Sequence, residues 1–329
     1  MNNLLKKSPS SLCIICLMAV FSFCCQNIKE ANPNIIIFLA DDMGYKDLGC
    51  YGGEAITPNL DAMAAEGIKF TNCYAGAPNC SPSRASLLTG RMPVRAGMYS
   101  YRPPGNVMHL RDEEMTIAEV LKTAGYQTAH FGKWHLGCLP RDKQLSHPQP
   151  DQQGFDYSLG IENNSQPSHR NPDTFVKNGV EIGVQEGYSS HLLADEIESW
   201  LDKEYESQKP FFMYVPFHEP HAKVAAPSEL VAHYKDNDQK TAEYFACIEN
   251  MDSAVGRILS TLKTRGLKEN TMIFFASDNG SYRIGSNDPL RGMKSEVYDG
   301  VALRFPVFSP GLEYFKETGN WKHPSGFLT

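Results

Sequence analysis

The stretch "NPNIIIFLADD", residues 32–42, indicates the fold of this protein. Residues 34–40 are almost all β-branched or apolar, and the run stops abruptly at Asp41 and Asp42. A continuous apolar run of this length is expected of a strand that is buried on both faces, as the strands of parallel sheets are. The sequence therefore predicts a central parallel strand with two carboxylates just beyond its end.

Strand-like and helix-like segments alternate along the rest of the chain. Predicted helices occupy residues 57–67, 85–90, 115–125, 188–207 and 241–264. Further predicted strands occupy residues 68–74, 210–217 and 271–277, with another at the start of 126–137. The Pro-, Asn-, Gln- and Gly-rich stretch between them, 140–187, predicts long surface loops. This alternation predicts an α/β fold with helices on both faces of the sheet.

The N-terminus is predicted to be separate from that fold. Lys6 and Lys7 precede an apolar run at residues 12–23, which is too short to span a bilayer. Because Cys24 and Cys25 close the run, we expect residues 1–25 to be a signal peptide, either of the lipoprotein type with one cysteine acylated or an ordinary one. The mature protein is then exported, to the periplasm or as a lipoprotein to the outer membrane of a bacterium, and a lipid is its only expected membrane attachment.

Composition narrows the classes of partner. A length of 329 residues allows one large or two medium domains, and a net charge of −7 argues against nucleic-acid binding. Beyond the leader lie cysteines 50, 73, 80, 138 and 247, with no C-x-x-C pair, which argues against a zinc knuckle. An odd number leaves at least one cysteine without an internal partner, and Cys80 is our candidate.

Polar side chains follow the predicted ends of four strands. They are Asp41, Asp42, Lys133, His135, His218, Asp278 and Asn279. Ligands of open α/β sheets bind at the carboxyl ends of the strands, so we expect one shared site there. Taken singly, these groups also have ordinary explanations: Asp41 and Asp42 as a helix cap, Asn279 with Gly280 as a turn, and Lys133 and His135 as a surface lysine and a structural histidine.

The residue types at these strand ends indicate a particular chemistry. Asp41, Asp42, Asp278 and Asn279 offer hard oxygen ligands, which suit Ca²⁺ or Mg²⁺. His218 and His221 could form a zinc pair, but no third soft ligand is obvious, so a single histidine that acts as a proton donor fits better. The lysines, Lys133 and Lys294, would stabilise a developing oxyanion.

The nucleophile is predicted from residues 79–91, "NCSPSRASLLTGR". This stretch resembles the signature C-x-P-S-R-x-x-x-L-T-G-R of the type I sulfatases, a family that includes arylsulfatases and N-acetylgalactosamine-6-sulfatases. Five further motifs occur in the family's order: "ADDMGY", "GKWHLG", "HEPH", "SDNG" and "LRGMK". The resemblance covers roughly residues 33–300. It implies an alkaline-phosphatase-like, mixed but mostly parallel central sheet, with a sulfatase catalytic domain at residues 32–312.

The resemblance also implies cofactors and roles. A formylglycine-generating enzyme would oxidise Cys80 to Cα-formylglycine, whose hydrate attacks sulfur, and Arg84 would steady that hydrate. His218 would protonate the leaving alcohol, and His135 would help to expel sulfate. The lysines that would hold the sulfate are Lys133 and Lys294. The ligands implied for one Ca²⁺ ion are Asp41, Asp42, Asp278, Asn279 and residue 80. The substrate would be a sulfated carbohydrate or an aryl sulfate.

The chain departs from the family pattern after Lys294. Residues 300–306 are one residue longer than the usual G-G-x-R-x-P and lack its second glycine, and residues 313–329 form an atypical tail. We therefore expect the family's C-terminal subdomain to be missing. Two alternatives remain: a truncated, inactive relative, and a phosphatase or phosphonate hydrolase of the same superfamily. Members of that last group usually carry Ser or Thr with zinc, so Cys80 argues against it.

Overall fold

The computed structural model describes residues 32–140, 147–296, 298 and 307–309. The predicted leader at residues 1–25, the departure at residues 300–306 and the tail at residues 313–329 lie outside these described residues. No helix of the described part is long and apolar enough to cross a membrane.

A nine-stranded sheet forms the centre of the fold, in the order β2-β9-β8-β1-β7-β3-β4-β5-β6. Its strands are β1 Asn34–Asp41, β2 Ile68–Lys69, β3 Gln127–Lys133, β4 Tyr157–Ile161, β5 Val176–Lys177, β6 Val180–Glu181, β7 Phe211–Pro220, β8 Thr271–Ser277 and β9 Val307–Ser309. The five strands β8-β1-β7-β3-β4 are parallel, and the short strands at both edges pair antiparallel. The predicted mixed, mostly parallel sheet is therefore confirmed.

β1 is the central strand that its sequence predicts, with β7 on one side and β8 on the other. Ile36 and Phe38 point into one hydrophobic core, and Ile37 and Leu39 point into a second core on the opposite face. Side chains alternate between the faces of a strand, so a strand covered on both faces has to be apolar at every position.

Helices cover both of these faces. They are α1 Pro58–Glu66, α2 Cys80–Thr89, α3 Ile117–Thr123, α4 Ser189–Lys203, α5 Ser228–Val231 and α6 Gln239–Thr264, with short 3₁₀ turns at Gly49–Tyr51, Pro150–Gln153, Ala232–Tyr234 and Lys268–Asn270. Apolar residues of α1, α4 and α6 pack in the first core, and those of α2 and α3 pack in the second. The two-sided arrangement agrees with the prediction.

Two predictions about local structure were wrong. The segment predicted as long loops, 140–187, contains β4, β5 and β6. The predicted strand at 68–74 is only two residues long. β2, β5 and β6 have two residues each, which is too few to establish an alternating pattern, and β4 is a parallel strand of five residues paired on both sides.

Candidate active site

Cys80 is the first residue of α2, and its side chain is 2% exposed. Asn79 precedes it as the N-cap in an extended conformation. Pro82 fits in the first turn, because the N–H that proline lacks has no partner within a helix there. Ala85 and Leu88 anchor the helix in the second core. The thiol is thereby held at a helix N-terminus, where free N–H groups favour negative charge.

Three carboxylates and one amide meet at the ends of β1 and β8. The Asp42 N–H donates to Oδ1 of Asp278 at 3.2 Å, and Nδ2 of Asn279 donates to Oδ1 of Asp42 at 2.7 Å. Ligand atoms of Asp41, Asp42 and Cys80 all lie within 4.8 Å of one another. The structure thus brings together the residues that the sequence analysis grouped as metal ligands.

The donor atoms of this group fit a hard cation. Oδ1 of Asn279 is buried and accepts no hydrogen bond from the described residues, and Oδ1 of Asp41 is also buried and has an ion-pair contact of 3.4 Å to Nη2 of Arg84 but no hydrogen bond from them. Buried acceptors usually have a partner, and carboxylate and amide oxygens are the ligands of Ca²⁺ and Mg²⁺. The one mismatch is the sulfur of Cys80, a soft ligand among oxygens.

Buried cations oppose these carboxylates. Arg84 donates from Nε and Nη2 to Oδ2 of Asp278 at 3.0 and 2.7 Å, and Nζ of Lys133 donates to Oδ2 of Asp41 at 2.7 Å. Burial would raise the pKa of Asp41, but Lys133, His221 and Arg84 hold it well below its usual value. The pKa of Asp278 is raised to about 7, because burial, together with the charges of Asp41 and Asp42, outweighs the attraction of Arg84.

Lys294 connects the carboxylates to the thiol. Its Nζ lies 2.7 Å from Oδ2 of Asp42 and 3.2 Å from the sulfur of Cys80. Burial raises the pKa of Cys80 to about 11 even though Lys133 and Lys294 lower it. The unmodified thiol is therefore protonated at neutral pH, and a protonated thiol is a weak nucleophile.

His135 has a fixed orientation. Its Nε2 lies 2.7 Å from the carbonyl oxygen of Arg102, and because a carbonyl can only accept, Nε2 carries the proton. Nδ1 is buried and has no partner among the described residues. Burial, with Lys133 nearby, lowers the pKa of His135 well below its usual value, so the ring is neutral and Nδ1 is free to accept a proton.

The two histidines at the end of β7 have different surroundings. His218 is 1% exposed and packs edge-on against Phe175, and neither of its ring nitrogens bonds to another described residue. His221 remains 18% exposed, and its Nε2 lies 3.4 Å from Oδ2 of Asp42. Its Nδ1 donates to the carbonyl of Ala222 at 2.8 Å, which directs Nε2 to the carboxylate. The structure thus places His221 beside the charged cluster.

Sequence reasoning missed Arg102. Its N–H donates to Oγ of Ser81 at 2.9 Å, and its carbonyl accepts from His135, so one residue links α2 to His135. Its fully buried guanidinium pairs with Glu162. An isolated arginine in a loop carries no signal of this role, since only the tertiary structure brings the three segments together.

The sequence model of the Sulfatase family matches residues 33–310. The chain belongs to the sulfatase family. This match covers most of the chain and confirms the resemblance drawn from residues 79–91.

Two curated sulfatases illustrate the likeness. The chain is 35% identical over 307 residues to N-acetylgalactosamine-6-sulfatase of Canis lupus familiaris, covering 84% of this chain and 56% of that protein. It is 36% identical over 310 residues to arylsulfatase A of Homo sapiens, covering 85% and 59%. This sulfatase-family chain therefore spans little more than half the length of these relatives.

A solved structure agrees with the fold. Ps i-CgsB, in complex with k-i-k-neocarrahexaose, superposes with a TM-score of 0.75 at 29% identity, covering 84% of this chain and 65% of that one. The alkaline-phosphatase-like sheet expected of a sulfatase is thus supported by a solved structure as well as by the topology.

Proposed function

We propose that this protein hydrolyses sulfate esters, with sulfated glycans as its main substrates. One observation carries the proposal: Cys80, at the N-terminus of α2, lies within 4.8 Å of oxygens of Asp41 and Asp42 and 3.2 Å from Nζ of Lys294. A nucleophile, a hard-cation site and a fixed ammonium group at one point are what transfer of a sulfuryl group requires. The glycan preference rests on the names of the relatives and on the neocarrahexaose complex.

We also propose that residue 80 acts as Cα-formylglycine, made from Cys80 by a formylglycine-generating enzyme. The thiol is protonated at neutral pH, and its sulfur is the soft ligand among hard oxygens. An oxygen at this position would remove both mismatches. The modified residue would supply a hydrated aldehyde with two hydroxyl groups. One hydroxyl would attack sulfur, and the other would re-form the aldehyde and thereby release the sulfate.

The proposed cation is one Ca²⁺ ion. The residues that would hold it are Asp41, Asp42, Asp278, Asn279 and residue 80. The ion would supply positive charge against the negative charge that develops on the sulfate oxygens. Lys133 and Lys294 would bind other sulfate oxygens, because their pairing with Asp41 and Asp42 fixes both ammonium groups near residue 80.

Two histidines would handle protons. The buried Nδ1 of His135 has no partner among the described residues, and it would accept the proton that residue 80 gives up. For the leaving alcohol we propose His221 in place of the sequence-based choice, His218. His221 is partly open to solvent and faces Asp42, whereas His218 is enclosed beside Phe175. A donor has to reach the leaving oxygen, so exposure at the cluster favours His221.

Export is part of the proposal. The charged and apolar pattern of residues 6–23 and the cysteines that close it support a signal peptide, with the periplasm or the outer membrane as destination. Maturation by a formylglycine-generating enzyme would accompany it.

One peptide tests the modification. Trypsin cuts after Lys69 and Arg84, so residue 80 lies in peptide 70–84 together with Cys73. After alkylation we expect a single alkyl group, on Cys73, and the mass of –CHO in place of –CH₂SH at residue 80. Two alkylated cysteines, from a host that converts a control sulfatase, would refute the formylglycine.

Sulfate release tests the activity. The matured protein should hydrolyse 4-methylumbelliferyl sulfate, lose this activity with EDTA and regain it with Ca²⁺, while Cys80→Ala should be inactive. A matured but inactive protein would favour the inactive relative. Faster hydrolysis of a phosphate or phosphonate ester than of the sulfate would favour the phosphatase alternative.

A further inference from the structure

The segment that carries Lys294 also exposes an aromatic and basic tip, which the proposed chemistry does not use. The tip consists of Tyr282, Arg283 and Ile284, all exposed, with Tyr282 at 45%. The guanidinium carbon of Arg283 lies 4.6 Å from the centre of the Tyr282 ring, and Nζ of Lys294 lies 5.7 Å from the same centre. The same Nζ lies 3.2 Å from the sulfur of Cys80, so the ring and the proposed nucleophile share one ammonium group as a neighbour.

The base of the tip is rigidly held. The Ser281 N–H donates to Oδ1 of Asn287 at 3.1 Å, and the Lys294 N–H donates to the Ser281 carbonyl at 3.0 Å. The Ser286 N–H donates to Oδ1 of the buried Asp47 at 2.8 Å. The backbone on either side of the tip is thus fixed relative to that of Lys294, so binding there would require little ordering of the main chain.

The backbone of the tip is strained where its side chains are exposed. The Ile284 N–H donates to the Tyr282 carbonyl at 3.1 Å, which closes a three-residue turn, and Arg283 at its centre has φ 76°. A positive φ is costly for a residue with a branched or long side chain, and three-residue turns of this sign are rare. Strain of this kind is typical of functional sites, where the surrounding structure maintains it.

We propose that Tyr282 and Arg283 form a subsite for a second anionic sugar unit, next to the unit whose sulfate ester is cleaved. This inference rests on the proposed function. The Tyr282 ring would pack on the C–H face of a sugar, and the Arg283 guanidinium would donate two parallel hydrogen bonds to a sulfate or carboxylate group. The preferred substrate is then an oligosaccharide with at least two anionic groups, and an aryl sulfate would leave the subsite unused.

The variants Tyr282→Ala and Arg283→Ala test the subsite in the matured protein. Lys203→Ala is the matched control. Lys203 is an exposed cation at the C-terminus of α4, and the chain runs from there to the start of β7, which lies at the opposite end of the parallel strands from the site. The assay is inhibition of 4-methylumbelliferyl sulfate hydrolysis by oligosaccharides of ι-carrageenan, which carry sulfates, of unsulfated chondroitin, which carry carboxylates, and of neutral agarose.

We expect anionic oligosaccharides to inhibit, with inhibition constants raised about tenfold in each tip variant, or about 1.4 kcal/mol each. The KM of the aryl sulfate and all values of Lys203→Ala should stay unchanged. Inhibition by carrageenan alone identifies sulfate as the bound group, and inhibition by chondroitin identifies carboxylate. Equal inhibition by neutral agarose, or unchanged constants in both tip variants, would overturn the subsite.

Direct binding separates this inference from the proposed function. The same oligosaccharides are titrated calorimetrically into each protein, which requires no turnover. Binding that the tip variants weaken, in a protein that hydrolyses nothing, supports the subsite and refutes the hydrolase. Hydrolysis of the aryl sulfate combined with oligosaccharide binding that the variants do not change, or with none at all, refutes the subsite and leaves the hydrolase standing.

Discussion

Replacing Arg84 should destabilise the fold as well as the site. Arg84 and Asp278 are both fully buried and joined by two charged hydrogen bonds, of 3.0 and 2.7 Å. Arg84→Met keeps most of the side-chain volume but leaves the Asp278 carboxyl without its cation. Removing one partner of a buried ion pair costs about 3–5 kcal/mol, a large part of a typical net stability of about 5–15 kcal/mol.

Urea unfolding in EDTA, followed by circular dichroism, measures this loss without a contribution from bound metal. Lys209→Met is the matched control, because it removes an exposed ion pair of 2.9 Å to Glu206 and should cost less than about 1 kcal/mol. In the double variant Arg84→Met/Asp278→Asn, most of the loss should be recovered, since no uncompensated carboxyl remains. A loss below about 1 kcal/mol for Arg84→Met, or losses that simply add in the double variant, would refute the reasoning.

Three further predictions concern protons and helix ends. His221→Ala should lower kcat by about 10²–10⁴-fold for an alkyl sulfate and far less for 4-nitrophenyl sulfate, because the 4-nitrophenolate leaving group needs no proton. His218→Ala should lower kcat equally for both substrates. The reverse pattern would show that His218 donates the proton. Burial raises the pKa of Asp252 to about 6 despite its hydrogen bonds from α1, so the folded protein takes up a proton as the pH falls from 7 to 5. Over that interval urea unfolding should show wild type gaining on the order of 1 kcal/mol relative to Asp252→Asn, and no relative gain would contradict the raised pKa. Thr116→Ala removes one half of a capping box with Glu119 and should cost about 1–2 kcal/mol in the same measurement, and a loss no larger than that of the exposed variant Lys209→Met would refute the cap.

The central parallel strands could be predicted, because a strand that is buried on both faces has a continuous apolar sequence. Every position of β1 after Asn34 is apolar up to Asp41, and β8 reads similarly from Met272 to Ala276. The two-residue strands β5 and β6 could not be predicted, since two residues carry almost no pattern.

Part of the candidate site could likewise be predicted from the sequence. Residue type alone singled out the candidate metal ligands and the thiol, because oxygen and sulfur donors differ in their chemistry, and the long signature at residues 79–91 indicated the family. The sequence also predicted that the strand ends carry the site, since parallel strands expose their carboxyl ends at one edge.

Only the tertiary structure decided how these groups meet. It distinguished His221 from His218, which the motif "HEPH" leaves equivalent, because enclosure by Phe175 depends on packing from a distant segment. It brought Arg102 between α2 and His135, and it placed Tyr282 beside Lys294. Neither contact produces a periodic pattern in the sequence. Residue chemistry and periodicity are local properties that a sequence carries by itself, whereas distance, enclosure and charge pairing arise only when separate segments pack together.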